Sequence, residues 1–304
     1  MRNAPGSEKR PIGVFVGLAT LDVIHRIAEP PAVNQKITST AQFVSAGGPA
    51  ANAAVTFAAL GGAATLVTAL GDEPVAELIR TDLTTHGVEV VDAAQGAIRP
   101  VPVSSVSVVE STGDRSVVSL DAVGSDAAPP ADLEDVVEGA DVLLVDGHHP
   151  VIAAAAVRHA ATRAVPVVVD AGRWKPVMND LIGYSTDMVC SNDFRMPDTD
   201  GPRSTATALV SSGVRTVVTT HGADPVDWWS GGQSGSVAVP AVRAVDTLGA
   251  GDVFHGAYCF YSERIGVVER IERSARVAAL RCSIVGPRAW LRELPTLRTG
   301  TGGR

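Results

Sequence analysis

The sequence predicts an α/β fold with a mostly parallel central sheet and a small antiparallel sheet beside it. Short runs rich in valine, isoleucine and leucine alternate with longer alanine-rich segments of helical period, as in parallel strands joined by crossover helices. Two other stretches alternate apolar and polar residues with no helix between, which is typical of half-exposed antiparallel strands. With 304 residues, of which 45% are hydrophobic, the chain can bury the core of one large domain.

Buried strands are predicted where aliphatic runs are bounded by glycine, proline or charged residues. They are residues 12–17, 65–69, 142–145, 165–169, 188–191 and 214–219. Helices are predicted between them, where apolar residues recur with the helical period. They are residues 49–60, 75–86, 151–163, 204–211, 253–264 and 267–280.

We expect a single domain over residues 11–296, with loose tails at residues 1–10 and 297–304. The two alternating stretches, residues 30–44 and 101–121, are predicted to form a flap over the end of the main sheet where ligands of open α/β sheets bind. A decorative sheet edge and a dimer surface are alternatives for the same stretches. We expect a homodimer through this flap, because the stretches are too short to cover themselves.

Composition excludes two classes of partner. The net charge is −8 and the basic residues are scattered, so no nucleic-acid partner is expected. Apolar runs end well before the ~18 residues of a membrane span and the N-terminus lacks a signal pattern, so we expect a cytoplasmic protein with no membrane partner. Cys190, Cys259 and Cys282 lack metal-ligand spacing and are expected to be buried thiols.

The strongest chemical pattern is the segment DTLGAGD, which ends at Asp252. The small residues Gly249, Ala250 and Gly251 precede a helix, so their amides and the positive helix end can hold an anion that develops charge during a reaction. A carboxylate at Asp252, in the first turn, can take a proton from an attacking hydroxyl. The alternative is an acidic residue that only favours the helix dipole.

Two familiar phosphate-binding patterns are missing from this sequence. No glycine follows Gly251 at the spacing of a dinucleotide fingerprint, and the segment lies far from the first strand, where that fingerprint belongs. The chain also lacks the GxxxxGK[S/T] loop. A Rossmann dehydrogenase and a P-loop kinase are therefore disfavoured.

A second segment, AGGPAANAA, suits the recognition of hydroxyl groups. Gly47 and Gly48 let the backbone approach a ligand, Pro49 suits the first helical position, and Asn52 presents a donor and an acceptor. An ordinary helix start is the alternative.

Four further residues, in three places, follow predicted strands. Asp22 follows the first strand and either binds hydroxyl groups or makes a turn. Thr220 and Gly222 form a strand-end turn that either contacts phosphate or only turns the chain. His148 is interpreted as a substrate contact or a turn residue rather than a metal ligand, because no matching set of ligands accompanies it.

These segments resemble the ribokinase (PfkB) family of carbohydrate kinases, over residues 12–295. The resemblance implies a ribokinase-like three-layer sandwich with a β lid. It also implies that ATP and Mg²⁺ are used to phosphorylate a primary hydroxyl of a monosaccharide. Asp252 would then be the base, and the amides of residues 249–252 the anion hole.

The resemblance also implies roles for other residues. Sugar-binding residues would be Asp22, Gly47, Gly48, Asn52, Arg115 and His148; nucleotide-binding residues would be Asn192, Thr220 and Gly222; Asp246 and Thr247 lie where some members bind a monovalent cation such as K⁺. Arg115 and the segment 278–288 resemble the ketohexose-kinase-like branch, which favours a ketose or a related sugar.

Two positions depart from the family pattern. Arg195 stands where a glutamate often helps to organise magnesium, so the Mg²⁺ ligand stays open, and Pro225 replaces a glycine near the nucleotide. A nucleoside kinase and a catalytically lapsed sugar-binding homologue are the alternatives. Aromatic residues make up only 4% of the chain, which favours a bare sugar over a nucleoside that needs stacking.

Overall fold

The computed structural model describes residues 10–262 and 265–295. The predicted tails, apart from residue 10, and the end of the predicted helix at residues 263–264 lie outside this range. Within it, each of the six predicted buried strands and six predicted helices is present, with ends shifted by a few residues.

The chain contains thirteen described strands. They are β1 (Ile12–Val16), β2 (Thr20–Ile27), β3 (Ala41–Gly47), β4 (Ala63–Thr68), β5 (Val88–Asp92), β6 (Val103–Val109), β7 (Arg115–Val118), β8 (Val142–Val145), β9 (Val167–Ala171), β10 (Asp187–Ser191), β11 (Thr216–His221), β12 (Asp224–Ser230) and β13 (Gln233–Val237). Nine of them form the main sheet in the order β13-β12-β11-β10-β9-β8-β1-β4-β5. The pairings of β12 with β11 and β13 are antiparallel, and the other pairings are parallel.

In the part of the chain that the structure describes, eight α-helices cover this sheet on both faces. They are α1 (Pro49–Ala59), α2 (Pro74–Thr85), α3 (Leu133–Glu138), α4 (Pro150–Thr162), α5 (Met178–Ile182), α6 (Pro202–Ser211), α7 (Ala250–Phe260) and α8 (Val267–Cys282), and a 3₁₀ helix (Ala289–Glu293) follows α8. One apolar core joins the sheet to α1, α2, α7 and α8, and a second joins it to α3 to α6. The predicted three-layer sandwich is therefore confirmed.

The remaining strands form a four-stranded lid in the order β3-β2-β6-β7. Pairs β2–β3 and β6–β7 are antiparallel, whereas β2 and β6 are parallel. The hairpin β6–β7 falls within the predicted stretch 101–121. In the predicted stretch 30–44, however, β3 begins only at residue 41, and its partner β2 was not predicted.

The inner face of the lid packs against the segment that leads into α7. Ile24, Val106 and Val108 form a small apolar cluster against which Leu248 packs. At the hairpin turn, the carbonyl of Gly113 accepts hydrogen bonds from the amide and the hydroxyl of Thr247, at 3.2 and 2.8 Å. The lid therefore lies directly beside the small-residue segment.

The three cysteines carry free thiols, as predicted. Cys190 and Cys259 are buried, whereas Cys282 is only partly so. Burial raises the pKa of all three thiols, that of Cys259 to about 12. Among the helices of residues 10–262 and 265–295, none is both long and apolar enough to cross a bilayer.

Candidate active site

The start of α7 carries a set of exposed backbone donors. Gly249 caps the helix in the left-handed conformation, with φ 71° and ψ 11°. The amide of Ala250 donates to the carbonyl of Thr247 at 3.3 Å, whereas the amides of Gly249, Gly251 and Asp252 donate to no oxygen in the described part of the chain. The positive end of the helix dipole reinforces these donors. This arrangement, the anion hole, can hold a phosphoryl oxygen.

Asp252 lies in the first turn of α7 and is held by a residue of another helix. Nδ2 of Asn52, in α1, donates to Oδ2 of Asp252 at 2.8 Å. Asn52 is therefore in contact with the candidate base; its predicted contact with sugar stays a prediction. A carboxylate held beside free amides can accept a proton while the amides stabilise the charge that develops.

The position of Asn52 depends on Arg288, which sequence analysis quoted within residues 278–288 but gave no role. Nη1 of Arg288 donates to Oδ1 of Asn52 at 3.0 Å, and Nη2 donates to the carbonyl of Ala46 at 2.8 Å. Nε and Nη2 also donate to Oδ2 of Asp82, at 3.2 and 2.9 Å. Because arginine only donates, it determines which end of the Asn52 amide faces Asp252. We call this chain, Asp82–Arg288–Asn52–Asp252, the Arg288 network.

Asp22 lies on β2, on the inner face of the lid, rather than in a turn after the first strand. Its Oδ1 accepts a hydrogen bond from Thr20 at 2.6 Å, and a Cβ at Gly47 would collide with its carboxylate. Glycine is therefore required at Gly47 for Asp22 to keep its place. Burial raises the pKa of Asp22 and nearby Asp252 adds to the effect, although hydrogen bonds with Thr20 and Ser104 oppose it.

Asp146, at the end of β8, organises the loops at this edge of the sheet. Its carboxylate accepts hydrogen bonds from the amides of Leu18 (2.9 Å), Ala50 (3.2 Å) and His148 (2.9 Å). Burial alone would raise the pKa of Asp146, but His148 and the ammonium of Lys175 lower it well below its usual range. Asp146 therefore stays ionised and joins β1, β8 and the start of α1.

Gly48 caps α1 at φ 97°, a conformation that favours glycine. A side chain at this position would also collide with the carbonyl of Leu18. The backbone at Gly48 was predicted to approach a ligand closely. In the structure it approaches the loop after β1, at Leu18, and this contact brings the start of α1 beside β1.

A cleft of about 320 Å³ lies at the carboxyl ends of β1, β8, β9 and β10. The predicted residues Arg115 and His148 line it, together with Asp170, Arg173 and Lys175, which sequence analysis missed. Burial raises the pKa of Asp170, an effect that His255 opposes and Asp252 increases. Asp252, the candidate base, therefore lies close enough to both Asp170 and Asp22 for its charge to raise the pKa of each carboxyl group.

The predicted nucleotide-binding residues meet at the ends of two neighbouring strands. Ser191 of β10 pairs with Thr220 of β11, and the ring Nδ1 of His221 lies 2.9 Å from Oδ1 of Asn192. Gly222 follows with φ 68°. Asn192, Thr220 and Gly222 thus belong to one surface, and their contact with a nucleotide stays a prediction.

The two departures from the family pattern have local consequences. Nη1 of Arg195 donates to the carbonyls of Asn192 and Phe194, at 2.6 and 2.7 Å, so its guanidinium is bound to its own loop. Pro225 lies at the start of β12, where the pairing with β11 is irregular between Thr219 and His221. Proline has no amide hydrogen to donate, which agrees with this break.

Magnesium has carboxylates available at the cleft but no ready-made cage. Within the described ranges, no group of three or more His, Cys, Asp or Glu residues could hold a metal ion. Asp170 and Asp193 line the cleft. This set fits Mg²⁺ as kinases usually bind it, through one or two carboxylates together with water and the phosphates of the nucleotide.

The site implied for a monovalent cation is already engaged by a guanidinium. Nη2 of Arg281 lies 3.0 Å from Oδ1 of the buried Asp246, and Nη1 donates to the carbonyl of Asp246 at 3.3 Å. The hydroxyl of Thr247 donates a hydrogen bond to the carbonyl of Gly113 and accepts one from Nη1 of Arg115 at 3.3 Å. The residues present therefore do not fit an additional cation at Asp246 and Thr247.

Comparison with known proteins agrees with this geometry. A model of the pfkB family carbohydrate kinases matches residues 14–291. The chain is 25% identical over 282 residues to a deoxyribokinase of Salmonella typhi, covering 86% of this chain and 88% of the relative. It is 29% identical over 291 residues to an ATP-dependent ribose-1-phosphate kinase of Halopiger xanaduensis, covering 90% and 92%. The structure of Arabidopsis thaliana ribokinase complexed with ribose and ATP shares the fold, with a TM-score of 0.74 and 22% identity over 94% of this chain and 98% of that one.

Proposed function

Because the chain belongs to the pfkB family of carbohydrate kinases, we propose that it transfers the γ-phosphoryl group of ATP to a primary hydroxyl of a monosaccharide. The observation that carries the proposal is the contact between Asp252 and Asn52 directly beside the free amides of the anion hole. A proton acceptor and an oxyanion site thus lie within one helical turn, which is the arrangement that phosphoryl transfer requires.

In the proposed mechanism, Asp252 accepts the proton of the sugar hydroxyl as the oxygen attacks the γ-phosphorus. The amides of Gly249, Gly251 and Asp252 stabilise the charge on the transferred group, and Asp22 binds sugar hydroxyl groups from the lid. Mg²⁺, when bound with ATP, would neutralise phosphate charge. The lid excludes water, so the phosphoryl group goes to the sugar rather than to hydrolysis.

The test of the base is Asp252→Asn, which keeps the shape of the side chain but removes its basicity. We expect kcat to fall about 10²–10⁴-fold while calorimetric sugar binding is nearly unchanged. Glu269→Gln is the matched control, because Glu269 is a first-turn carboxylate of α8 outside the site. Wild-type turnover in Asp252→Asn would remove Asp252 from the role of base.

The sugar is to be identified by an ADP-release screen over ketoses, aldopentoses, nucleosides and ribose 1-phosphate. Arg115 and the segment 278–288 support a ketose, whereas the named relatives act on ribose, deoxyribose or ribose 1-phosphate. Turnover of nucleosides alone would identify a nucleoside kinase. Turnover of no acceptor by a protein that binds sugar would identify a lapsed homologue.

We also propose a homodimer through the lid. Its outer face exposes Val44, Val103 and Val118, of which Val118 is 75% exposed. Covering such side chains is favourable by about 25 cal/mol per Å². Light scattering at micromolar concentration should give a dimer that Val118→Asp dissociates, and a wild-type monomer would leave the lid as an intramolecular cover only.

A cytoplasmic location is part of the same proposal, because ATP is the donor and the thiols are free. Cell fractionation tests it; recovery of the protein outside the cytoplasmic fraction would contradict it.

A further inference from the structure

We propose that Arg281 is a built-in cation that holds the loop before the anion hole, so that the protein works without a bound monovalent metal ion. The family resemblance linked the carboxylate of Asp246 to K⁺. In this protein a side chain of the same chain takes the place of that ion.

The guanidinium of Arg281 is enclosed by oxygen atoms. Its Nη2 is ion-paired with Oδ1 of Asp246 at 3.0 Å, without the alignment of a hydrogen bond. Its Nη1 donates to the carbonyls of Asp246 and Ile284, at 3.3 and 3.1 Å. Both Arg281 and Asp246 are almost fully buried, with 2% and 3% of their surfaces exposed. A carboxylate and two carbonyls are the hard oxygen ligands that an alkali cation takes, and here they face a fixed positive charge.

The backbone around Arg281 favours a cation for a second reason. Arg281 lies in the last turn of α8, where unpaired carbonyls and the negative end of the helix dipole attract positive charge. The carbonyl of Cys282 accepts hydrogen bonds from the amides of Val245 and Asp246, at 2.8 and 3.3 Å. The end of α8 and the loop before α7 are thereby joined directly.

The carboxylate of Asp246 transmits this constraint to the anion hole. Its Oδ1 accepts a hydrogen bond from the amide of Leu248 at 3.1 Å, and its Oδ2 accepts one from the amide of Gly286 at 2.9 Å. Leu248 immediately precedes Gly249, whose left-handed conformation starts α7. Arg281 is therefore a positioning residue: it neutralises Asp246, and Asp246 fixes the turn that aims the free amides.

A diffusible cation at the same place would add a second positive charge next to the guanidinium. The carboxylate oxygens of Asp246 that would bind it are already paired with Arg281 and accept hydrogen bonds from the amides of Leu248 and Gly286. Removal of the guanidinium, in contrast, leaves a buried, unneutralised carboxylate and two carbonyls around a space that attracts a cation. That variant is expected to gain a K⁺ requirement that the wild-type protein lacks.

The first experiment uses the wild-type protein at constant ionic strength, with tetramethylammonium chloride replaced stepwise by KCl. We expect kcat/KM and Tm to stay within about twofold and 1 °C, respectively, of their values without potassium. Activation by K⁺ of tenfold or more, or a saturable rise in Tm, would overturn the proposal. The kinetic reading rests on the proposed function, whereas the Tm reading does not, so failure of one is distinguishable from failure of the other.

The second experiment compares Arg281→Ala with Arg281→Lys and with Arg270→Ala. Arg270 is the matched control because it is also a buried arginine of α8, ion-paired with the buried Asp187. We expect K⁺, but not tetramethylammonium, to raise the Tm of Arg281→Ala in a saturable way and to leave that of Arg270→Ala unchanged. Arg281→Lys, which keeps a tethered charge, should fold and remain insensitive to K⁺. Equal responses of the two alanine variants to K⁺, or K⁺-dependent stability in Arg281→Lys, would show that the guanidinium has only a general structural role.

Discussion

Behind the site, α1 packs tightly against α7, and Gly256→Ala perturbs this contact. A Cβ at Gly256 would lie 2.7 Å from Cβ of Thr56, and closer still to the carbonyl oxygen of Ala53. Carbon atoms pack at about 3.5–4.0 Å, so the helices must separate by roughly 1 Å. Overpacking of this kind costs about 1–3 kcal/mol of the free energy of unfolding.

The same displacement reaches the chemistry, because Asn52 and Asp252 lie on the two helices that separate. Their hydrogen bond of 2.8 Å would lengthen beyond the range of an effective bond. A misplacement of about 1 Å in an active site can cost roughly 100-fold in rate. We therefore expect Gly256→Ala to lower kcat about 10–100-fold and Tm by several degrees.

The assay combines urea unfolding, followed by tryptophan fluorescence, with steady-state kinetics on the best acceptor. Gly183→Ala is the control, since Gly183 has helical φ and ψ values and a Cβ there meets no atom within 4 Å. It should be neutral or slightly stabilising. Wild-type kcat in a destabilised Gly256→Ala protein would refute the link between helix spacing and catalysis, and unchanged stability would refute the packing argument.

Three further predictions concern the network, the pH response and the thiols. Arg288→Met should lower kcat at least tenfold, because Asn52 loses the donor that orients it. Arg292→Met is the control, since Arg292 is an exposed arginine of the 3₁₀ helix that follows Arg288, and equal kinetics in the two variants would contradict the role of the network. Burial lowers the pKa of His149 to about 4 in the folded protein. As the pH falls, His149 therefore binds a proton in the unfolded state before it does so in the folded state. We expect up to about 3 kcal/mol of the free energy of unfolding to be lost between pH 6.5 and 4. Urea titrations across this pH range should show that the free energy of unfolding depends less on pH in His149→Gln than in the wild-type protein. The same pH dependence in both proteins would refute the role of His149. Iodoacetamide at pH 7.5 should label Cys259 only in urea, as mass spectrometry of tryptic peptides can show, and rapid labelling of the native protein would contradict its burial.

Local patterns sufficed for six strands of the main sheet, because each is an aliphatic run bounded by glycine, proline or charged residues, but they did not predict β5, β12 or β13 of the same sheet. They failed for β2, whose eight residues include Asp22, His25 and Arg26. Charged and ionisable side chains in so short a segment suggest a turn, but Asp22 and Arg26 have partners distant in sequence. Asp22 is hydrogen-bonded with Ser104, and Arg26 donates to the carbonyl of Val245 at 2.9 Å. Strand formation here is a property of the tertiary structure.

The candidate site was predicted best where its residues are adjacent in sequence. The segment around Asp252 contains both the donors and the acid, so its chemistry was visible locally. Asp146, Arg281 and Arg288 act across sequence separations that no local pattern records, although the first two are buried charges, for which a partner must exist. A charge on the apolar face of an amphipathic helix, such as Arg281 in α8, is the signal that could have found one of them.

The parallel pairing of β2 with β6 also constrains how the protein folds. Leu21 pairs with Val103, and the whole of β3, α1, β4, α2 and β5 lies between them in sequence. Closing so long a loop carries a large entropic cost, so this pairing should form only after the intervening elements have collapsed. A nascent chain therefore acquires Asp22 in its working position late in folding. The lid, which we propose binds the acceptor, would be the last part of the molecule to become ordered and the first to open.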